Sequence, residues 1–156
     1  MLTQARLKEV FHYDPESGVF TRLKGRGAGS NHAGYLYLSI DQTQYLAHRL
    51  AFLYMLGGMP ERVDHRDCNK RNNAWANLRP ATAGQNMHNV GRRKDNASGV
   101  KGVSFCQRTG KWRAAISHDK KWRHLGWFQS IDAAANAYAI AAKNLHQDFA
   151  NTGDTQ

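Results

Sequence analysis

Residues 63 to 89 constrain the chain more than any other stretch. Val63-Asp64-His65 ends a short apolar segment, and a polar, asparagine-rich loop follows from Arg66 to Asn73. Asn77-Leu78-Arg79 then leads to Gln85-Asn86-Met87-His88-Asn89. A carboxylate and an imidazole stand side by side, and a turn brings an amide oxygen back towards them. Such a set can hold one hard metal ion and activate one water. The interval from Asp64 to Asn86 suits a strand, a loop, a second strand and the start of a helix.

Length and charge narrow the surroundings of that stretch. A chain of 156 residues holds one ordinary domain or two small ones, each burying little core. Lys plus Arg outnumber Asp plus Glu by 22 to 12. That excess points to a polyanionic partner, because each phosphate neutralised releases condensed counterions. The basic residues are interleaved with aromatics and glycines, which favours nucleic acid over a plain solvated basic surface. Cys68 and Cys106 have no CxxC spacing, so neither a zinc knuckle nor a disulfide framework is implied. No signal peptide and no apolar run of transmembrane length appear. The expectation is a soluble, intracellular (cytoplasmic) protein with no membrane partner.

Before the central stretch, Leu2 to Val10 suits a short helix, with apolar residues at Leu2, Leu7, Val10 and Phe11. Tyr13 to Gly18 is turn chemistry, and Val19 to Leu23 reads as a strand. Lys24 to Ser30 is a basic, glycine-rich loop, equally suited to approach a phosphate backbone or to join a hairpin. Gly34 to Ile40 alternates as a second strand, and Asp41 to Gln44 turns the chain into Tyr45-Leu46. Ala47 to Leu56 is a dense apolar helix stopped by Gly57-Gly58 and Pro60. His48 opens it, a position more often structural or phosphate-facing than catalytic.

The central pattern resembles the HNH (ββα-metal) nuclease motif, in the variant of phage and intron-encoded homing endonucleases. There Asp-His, Asn-Leu and a final Asn in place of the last His recur. The counterparts are Asp64-His65, Asn77-Leu78 and Asn86. A small sheet and then a helix precede the motif in many phage members too. The resemblance implies a metal held by Asp64 and Asn86, whose hard oxygens favour Mg²⁺ or Mn²⁺ over Zn²⁺. His65, as a neutral imidazole, takes the proton of the attacking water. Asn77 acts at second hand, hydrogen-bonding backbone groups and holding Asp64 and His65 in register. A register slip would put His88 or Asn89 in the place of Asn86 and admit a softer metal. Asn69, Asn72 and Asn73 read as loop-shaping residues, and Trp75 as a core or hairpin anchor.

Val90 to Gly99 breaks the apolar pattern, and Arg92, Arg93 and Lys94 suit an exposed tether along DNA. Val100 to Phe105, Lys111 to Ile116 and Trp122 to Phe128 follow as three strands. Ser130 then caps a helix from Ile131, striped by Ala134, Ala135, Tyr138, Ala142 and Leu145. Gly110-Lys111-Trp112-Arg113-Ala114-Ala115-Ile116, Leu125-Gly126-Trp127-Phe128 and Ala133 to Tyr138 resemble the APETALA/ethylene-response-factor DNA-binding domain. That family's three-stranded sheet enters the major groove. The resemblance implies contacts from Lys101, Trp112, Arg113 and Arg123, with Arg108 and Lys111 near phosphates. Trp127 and Phe128 are expected in the core under the helix, and Gln147 to Gln156, without periodicity, is expected to fray.

The sequence thus predicts an α+β protein. A small ββα-metal unit with an N-terminal sheet and helix is followed by a three-stranded antiparallel sheet packed on one helix. Residues 1–89 form the nuclease domain, 90–99 a basic linker and 100–150 the DNA-binding domain. The expected activity is metal-dependent DNA endonuclease cleavage of the homing type. One site in a monomer predicts nicking of double-stranded DNA. The alternative is a DNA-binding transcriptional regulator with an inactive HNH half.

Overall fold

The computed structural model describes residues 2–25 and 29–153. Arg26, Gly27 and Ala28 of the basic glycine-rich loop, and residues 154–156 of the terminal segment, lie outside them. Contacts divide the chain into two compact units, Met1–Ala81 and Thr82–Gln156.

In the first unit, helix α1 (Gln4–Val10) starts at Thr3, whose hydroxyl accepts from the Arg6 amide, and it buries Leu7. The helix stops at Val10, the bound expected from the sequence, and Phe11 opens strand β1 (Phe11–Tyr13), which pairs antiparallel with β2 (Phe20–Arg22). Pairing decides the matter: Phe11 lies opposite Arg22, is buried, and has the Arg22 guanidinium 4.7 Å from its ring centre. The connecting turn is held by the Asp14 carboxylate, which accepts from the Ser17 hydroxyl and the Glu16 amide.

Strands β3 (Ser30–His32), β4 (Tyr35–Ile40) and β5 (Thr43–Leu46) form an antiparallel sheet in that order. Strand β3 is exposed at every residue, so no hydrophobic alternation announces it. Asp41 and Gln42 carry the tight turn at φ of 47° and 62°, which leaves Thr43 and Gln44, expected in the turn, already in the strand. Helix α2 (Ala47–Leu56) ends at Gly57, whose φ of 76° lets its amide reach the Leu53 carbonyl. One face of α2 meets Leu7, Phe11, Leu38 and Ile40 through Leu50 and Leu53. Its Ala51 and Phe52 meet Tyr13, Val63 and Leu78. That second cluster seats the ribbon of β6 (Val63–His65) and β7 (Leu78–Pro80) on the helix.

The second unit opens with α3 (Ala83–His88), whose capping box pairs Thr82 with Gln85 reciprocally. Turns follow rather than the early start of a strand. The Ser98 hydroxyl and the Asn96 amide reach the carbonyl of Val100, so pairing begins only at β8 (Val103–Cys106). Strands β8, β9 (Lys111–His118) and β10 (Lys121–Phe128) form an antiparallel sheet in the order β10-β9-β8. Helix α4 (Ile131–His146) is capped by Ser130 and packs Ala134, Tyr138 and Ala142 onto Val103, Ala114 and Ile116. The architecture is α+β, as the sequence predicts.

Two details of this unit depend on close packing. The terminal segment is tied down rather than frayed as far as residue 153. Gln147–Phe149 make one tight helical turn, and buried Asn151 donates to the Asn89 carbonyl at 2.8 Å. Gly102 sits at φ 71°, and a methyl there would lie 2.2 Å from the Tyr138 ring. Gly102→Ala is therefore expected to cost about 2–4 kcal/mol, from left-handed strain plus overpacking. Urea unfolding measures it; a loss below about 1 kcal/mol would mean that Tyr138 yields freely. No described helix is long and apolar enough to cross a membrane.

Candidate active site

Strand β6 brings two functional candidates together by an unusual burial: Val63, Asp64 and His65 are all buried, on both faces of a three-residue strand. Asp64 lies directly across from Arg79 on β7. The Arg79 Nε and Nη2 donate to Asp64 Oδ2 at 2.8 and 2.6 Å. Their side chains are only 7% and 6% exposed, so this ion pair is removed from water. A carboxylate has capacity for about four hydrogen-bond or metal contacts, so one arginine does not exhaust it.

His65 is enclosed by Tyr35, His48 and Asn73. Its ring centre lies 5.1 Å from that of His48, edge to face, and 6.2 Å from that of Tyr35. The Asn73 Oδ1 is 3.3 Å from His65 Nε2. Asn73 is itself fixed: its carbonyl accepts from the Tyr13 hydroxyl at 2.7 Å, and its Nδ2 donates to the Arg71 carbonyl. Burial holds the His65 pKa below the usual imidazole value, against the Asn73 bond and the charges of Asp67 and Asp64. Burial, with His65 and Arg49 nearby, pushes His48 down to about 3. Both rings are neutral at pH 7.

Asn77 organises the loop between the two strands. Its Nδ2 donates to Asp67 Oδ1 at 2.9 Å and to the Asn72 carbonyl at 2.8 Å, while its Oδ1 accepts from the Asp67 amide. Asp67 also accepts from Asn72 Nδ2 and from the Asn69 amide. Burial raises the Asp67 pKa, but these donors outweigh it and leave a stable anion. Trp75 packs on Phe52 with ring centres 4.7 Å apart, clamping the far end of the loop to α2. The residues that only folding reveals here are His48, Tyr35 and Arg79. Asn73 reads from sequence as one more loop asparagine.

Asn86 belongs to the second unit, half-buried on α3. Of its alternatives, His88 lies in ring contact with His118 and His146, and Asn89 is buried against Asn151. On the sheet of this unit, Arg113, Ala115, Trp122, His124 and Trp127 line one shallow depression. Trp127 is thus not in the core: it is 46% exposed. The cause is a register shift between His124 and Gly126, after which Trp127 pairs with Arg113 and Phe128 with Trp112. Trp112 lies half-buried against Phe105, on the side packed under α4. Arg123 pairs with Ile116, so it leaves the sheet on that same side. Arg108 and Lys111 are exposed at the turn between β8 and β9. Lys101 Nζ donates to the His88 carbonyl, Arg93 pairs with Asp95, and Arg92 and Lys94 are exposed.

The sequence model of the HNH endonuclease family matches residues 45–88, from β5 to the end of α3. Over 88 residues the chain is 32% identical to Protein 3.8 of Escherichia phage T7, spanning 56% of this chain and 72% of that protein. Residues 45–88 are an HNH endonuclease domain. An uncharacterized HNH endonuclease of Acanthamoeba polyphaga mimivirus is 28% identical over 169 residues, spanning 95% of this chain and 87% of the relative. No solved structure matches the chain significantly. The HNH match takes in His48, Asp64, His65, Asn73, Asn77, Arg79 and Asn86, and it ends before the C-terminal sheet.

Proposed function

We propose that the HNH segment hydrolyses DNA phosphodiester bonds with a hard divalent cation, Mg²⁺ or Mn²⁺, held by Asp64 and Asn86. One observation carries this reading: a buried carboxylate and a buried, neutral imidazole stand next to each other on β6. The donor set suits the ion, since a carboxylate oxygen and an amide oxygen are hard ligands and the arginine on Asp64 Oδ2 fixes the carboxylate's orientation. HNH nucleases are generally dependent on a divalent metal. A cation bound there would neutralise charge at the phosphorus and ease departure of the 3′ oxygen.

His65 is the general base. With Nε2–H directed to Asn73 Oδ1, the accepting lone pair lies on Nδ1, and Nδ1 takes the proton of the attacking water. His48 and Tyr35 exclude bulk solvent from one side of the ring and so keep it uncharged. Asn77 positions the loop rather than touching substrate. The segment 90–99 serves as a basic linker between a nuclease domain, 1–89, and a DNA-binding domain, 100–150. That second domain resembles the APETALA/ethylene-response-factor type, with Arg113 on the open face of the sheet and Arg108 and Lys111 at its turn towards double-stranded DNA; Trp112 and Arg123, on the side of α4, and Lys101, held by the His88 carbonyl, are left out of that set. A single active site in a monomer gives nicks, and the viral relatives suit a homing or phage role inside a host cell.

Conversion of supercoiled plasmid to the relaxed form with Mg²⁺, and its loss with EDTA, tests the reading. DNA binding without relaxation would favour a regulator. The pH profile gives a further expected result. A base is active when deprotonated, and burial lowers the His65 pKa, so nicking should be flat through neutrality. It should fall tenfold per pH unit only below the ordinary imidazole value of about 6.5. Melting curves at each pH separate this from acid unfolding, which the buried histidines favour as pH falls from about 6.5 towards their folded pKa values. A profile still rising above pH 8 would assign the base elsewhere.

A further inference from the structure

Three histidines of the second unit come from the ends of three different elements: His88 from α3, His118 from β9 and His146 from α4. One ring nitrogen from each lies within 4.8 Å of the other two. The His88 and His146 rings are parallel with centres 3.8 Å apart, and His118 lies 5.7 and 5.8 Å from them. We propose that these three imidazoles form a second metal site, of the nitrogen-rich kind that binds a zinc-class transition-metal dication.

Hydrogen bonding, beyond proximity, supports the assignment. His146 is buried, and its Nε2 lies 2.9 Å from the Ser117 carbonyl, a group that can only accept. Nε2 therefore carries the proton, and the lone pair faces the other way, on Nδ1. His118 repeats the pattern, with Nε2 3.2 Å from the Asp119 carboxylate. The Nδ1 atoms of both rings are buried and have no hydrogen-bond partner. A metal-bound histidine characteristically donates its second ring nitrogen to a carbonyl or carboxylate, and two of the three rings have that arrangement. Plain stacking of aromatic rings explains the contact but leaves the two buried lone pairs unsatisfied.

Binding needs a local rearrangement: nitrogens bound to zinc at about 2.0–2.1 Å in a tetrahedron lie roughly 3.3 Å apart, and the parallel His88 and His146 rings must tilt away from each other so that both in-plane lone pairs meet one ion. Imidazole selects zinc-class ions over Mg²⁺, which distinguishes this site from an oxygen-liganded one. A cleft lined by Gln85, Asp119 and Asp148 reaches the three rings, giving an entry path and room for a water as fourth ligand. The nearby Lys101 ammonium is directed to the His88 carbonyl. An ion here would fasten α3, the helix bearing Asn86, to the sheet and to α4.

The test uses the full chain, stripped with EDTA and then titrated with Zn²⁺. About one zinc per chain is expected, both in wild type and in Asp64→Ala, which leaves this site untouched. His118→Ala, checked for a native circular dichroism spectrum, should retain close to none. In wild type, Zn²⁺ should shift the ring-nitrogen NMR signals of His88, His118 and His146, and leave those of exposed His124 in place. That measurement stands whether or not the variant folds. No saturable zinc uptake, unchanged uptake by folded His118→Ala, or shifts confined to other histidines would overturn the proposal.

Discussion

His65→Ala is expected to lower plasmid nicking by about two to four orders of magnitude, the usual contribution of a positioned general base. Affinity for DNA should stay within about twofold, because the basic groups proposed for binding lie on other elements. The ring is buried against His48 and held by Asn73, so some stability is lost as well, on the order of 1–3 kcal/mol. Assays well below the melting temperature, at saturating Mg²⁺, separate the two effects. His65→Gln keeps a donor for Asn73 without a base, and it should be as inactive as the alanine variant. If either variant nicked at the wild-type rate, proton transfer would have to lie with another group.

Arg79→Ala is expected to destabilise the first unit strongly, by about 3–5 kcal/mol. Removing the arginine strands the Asp64 carboxylate, 6% exposed, without the two donors now on its Oδ2. Domains of this size have total stabilities of only about 5–15 kcal/mol, so the loss is a large share. Arg79→Lys should recover only part of it, since an ammonium cannot reproduce the guanidinium fork. Urea unfolding of both variants gives the numbers. A cost under about 1 kcal/mol for Arg79→Ala would mean the pair is screened by solvent as surface ion pairs are. The double change Asp64→Asn with Arg79→Met should be less costly than Arg79→Ala, because it leaves no buried charge behind.

The two variants also divide the roles of neighbours on one short ribbon. On the proposed mechanism His65 would act on the reacting water, whereas Arg79 would act through Asp64 and should change metal demand more than the pH profile. A rise in the Mg²⁺ concentration needed by Arg79→Lys, with its acid limb unmoved, is the signature of that division.

Local chemistry made much of this protein legible without coordinates. Helix α2 announces itself by apolar density and by Gly57, the residue able to turn left-handed at its end. Helix α4 is announced by Ser130, and the three-stranded sheet by alternation broken at Gly110 and at Asp119-Lys120. Asp64 and His65 stand out because adjacency along the chain is enough to pair a carboxylate with an imidazole. Long-range pairing decided the rest. Phe11 opened a strand because β2 offered a partner, and β3 formed from exposed polar residues because β4 supplied the ladder. Trp127 turned outward because one irregular residue in β10 reversed the faces, a shift of register that no hydrophobic pattern encodes.

The same boundary runs through the functional residues. The sequence by itself determined the candidates for hydrolysis, since their types and order lie within one short stretch. Only the tertiary structure brought His48 onto His65, set Arg79 against Asp64, and gathered His88, His118 and His146 from three element ends. Each of those meetings joins residues far apart in the chain, and none leaves a local trace. What a side chain touches across a fold depends on how strands pair and helices pack, and that is settled by burial of the whole core.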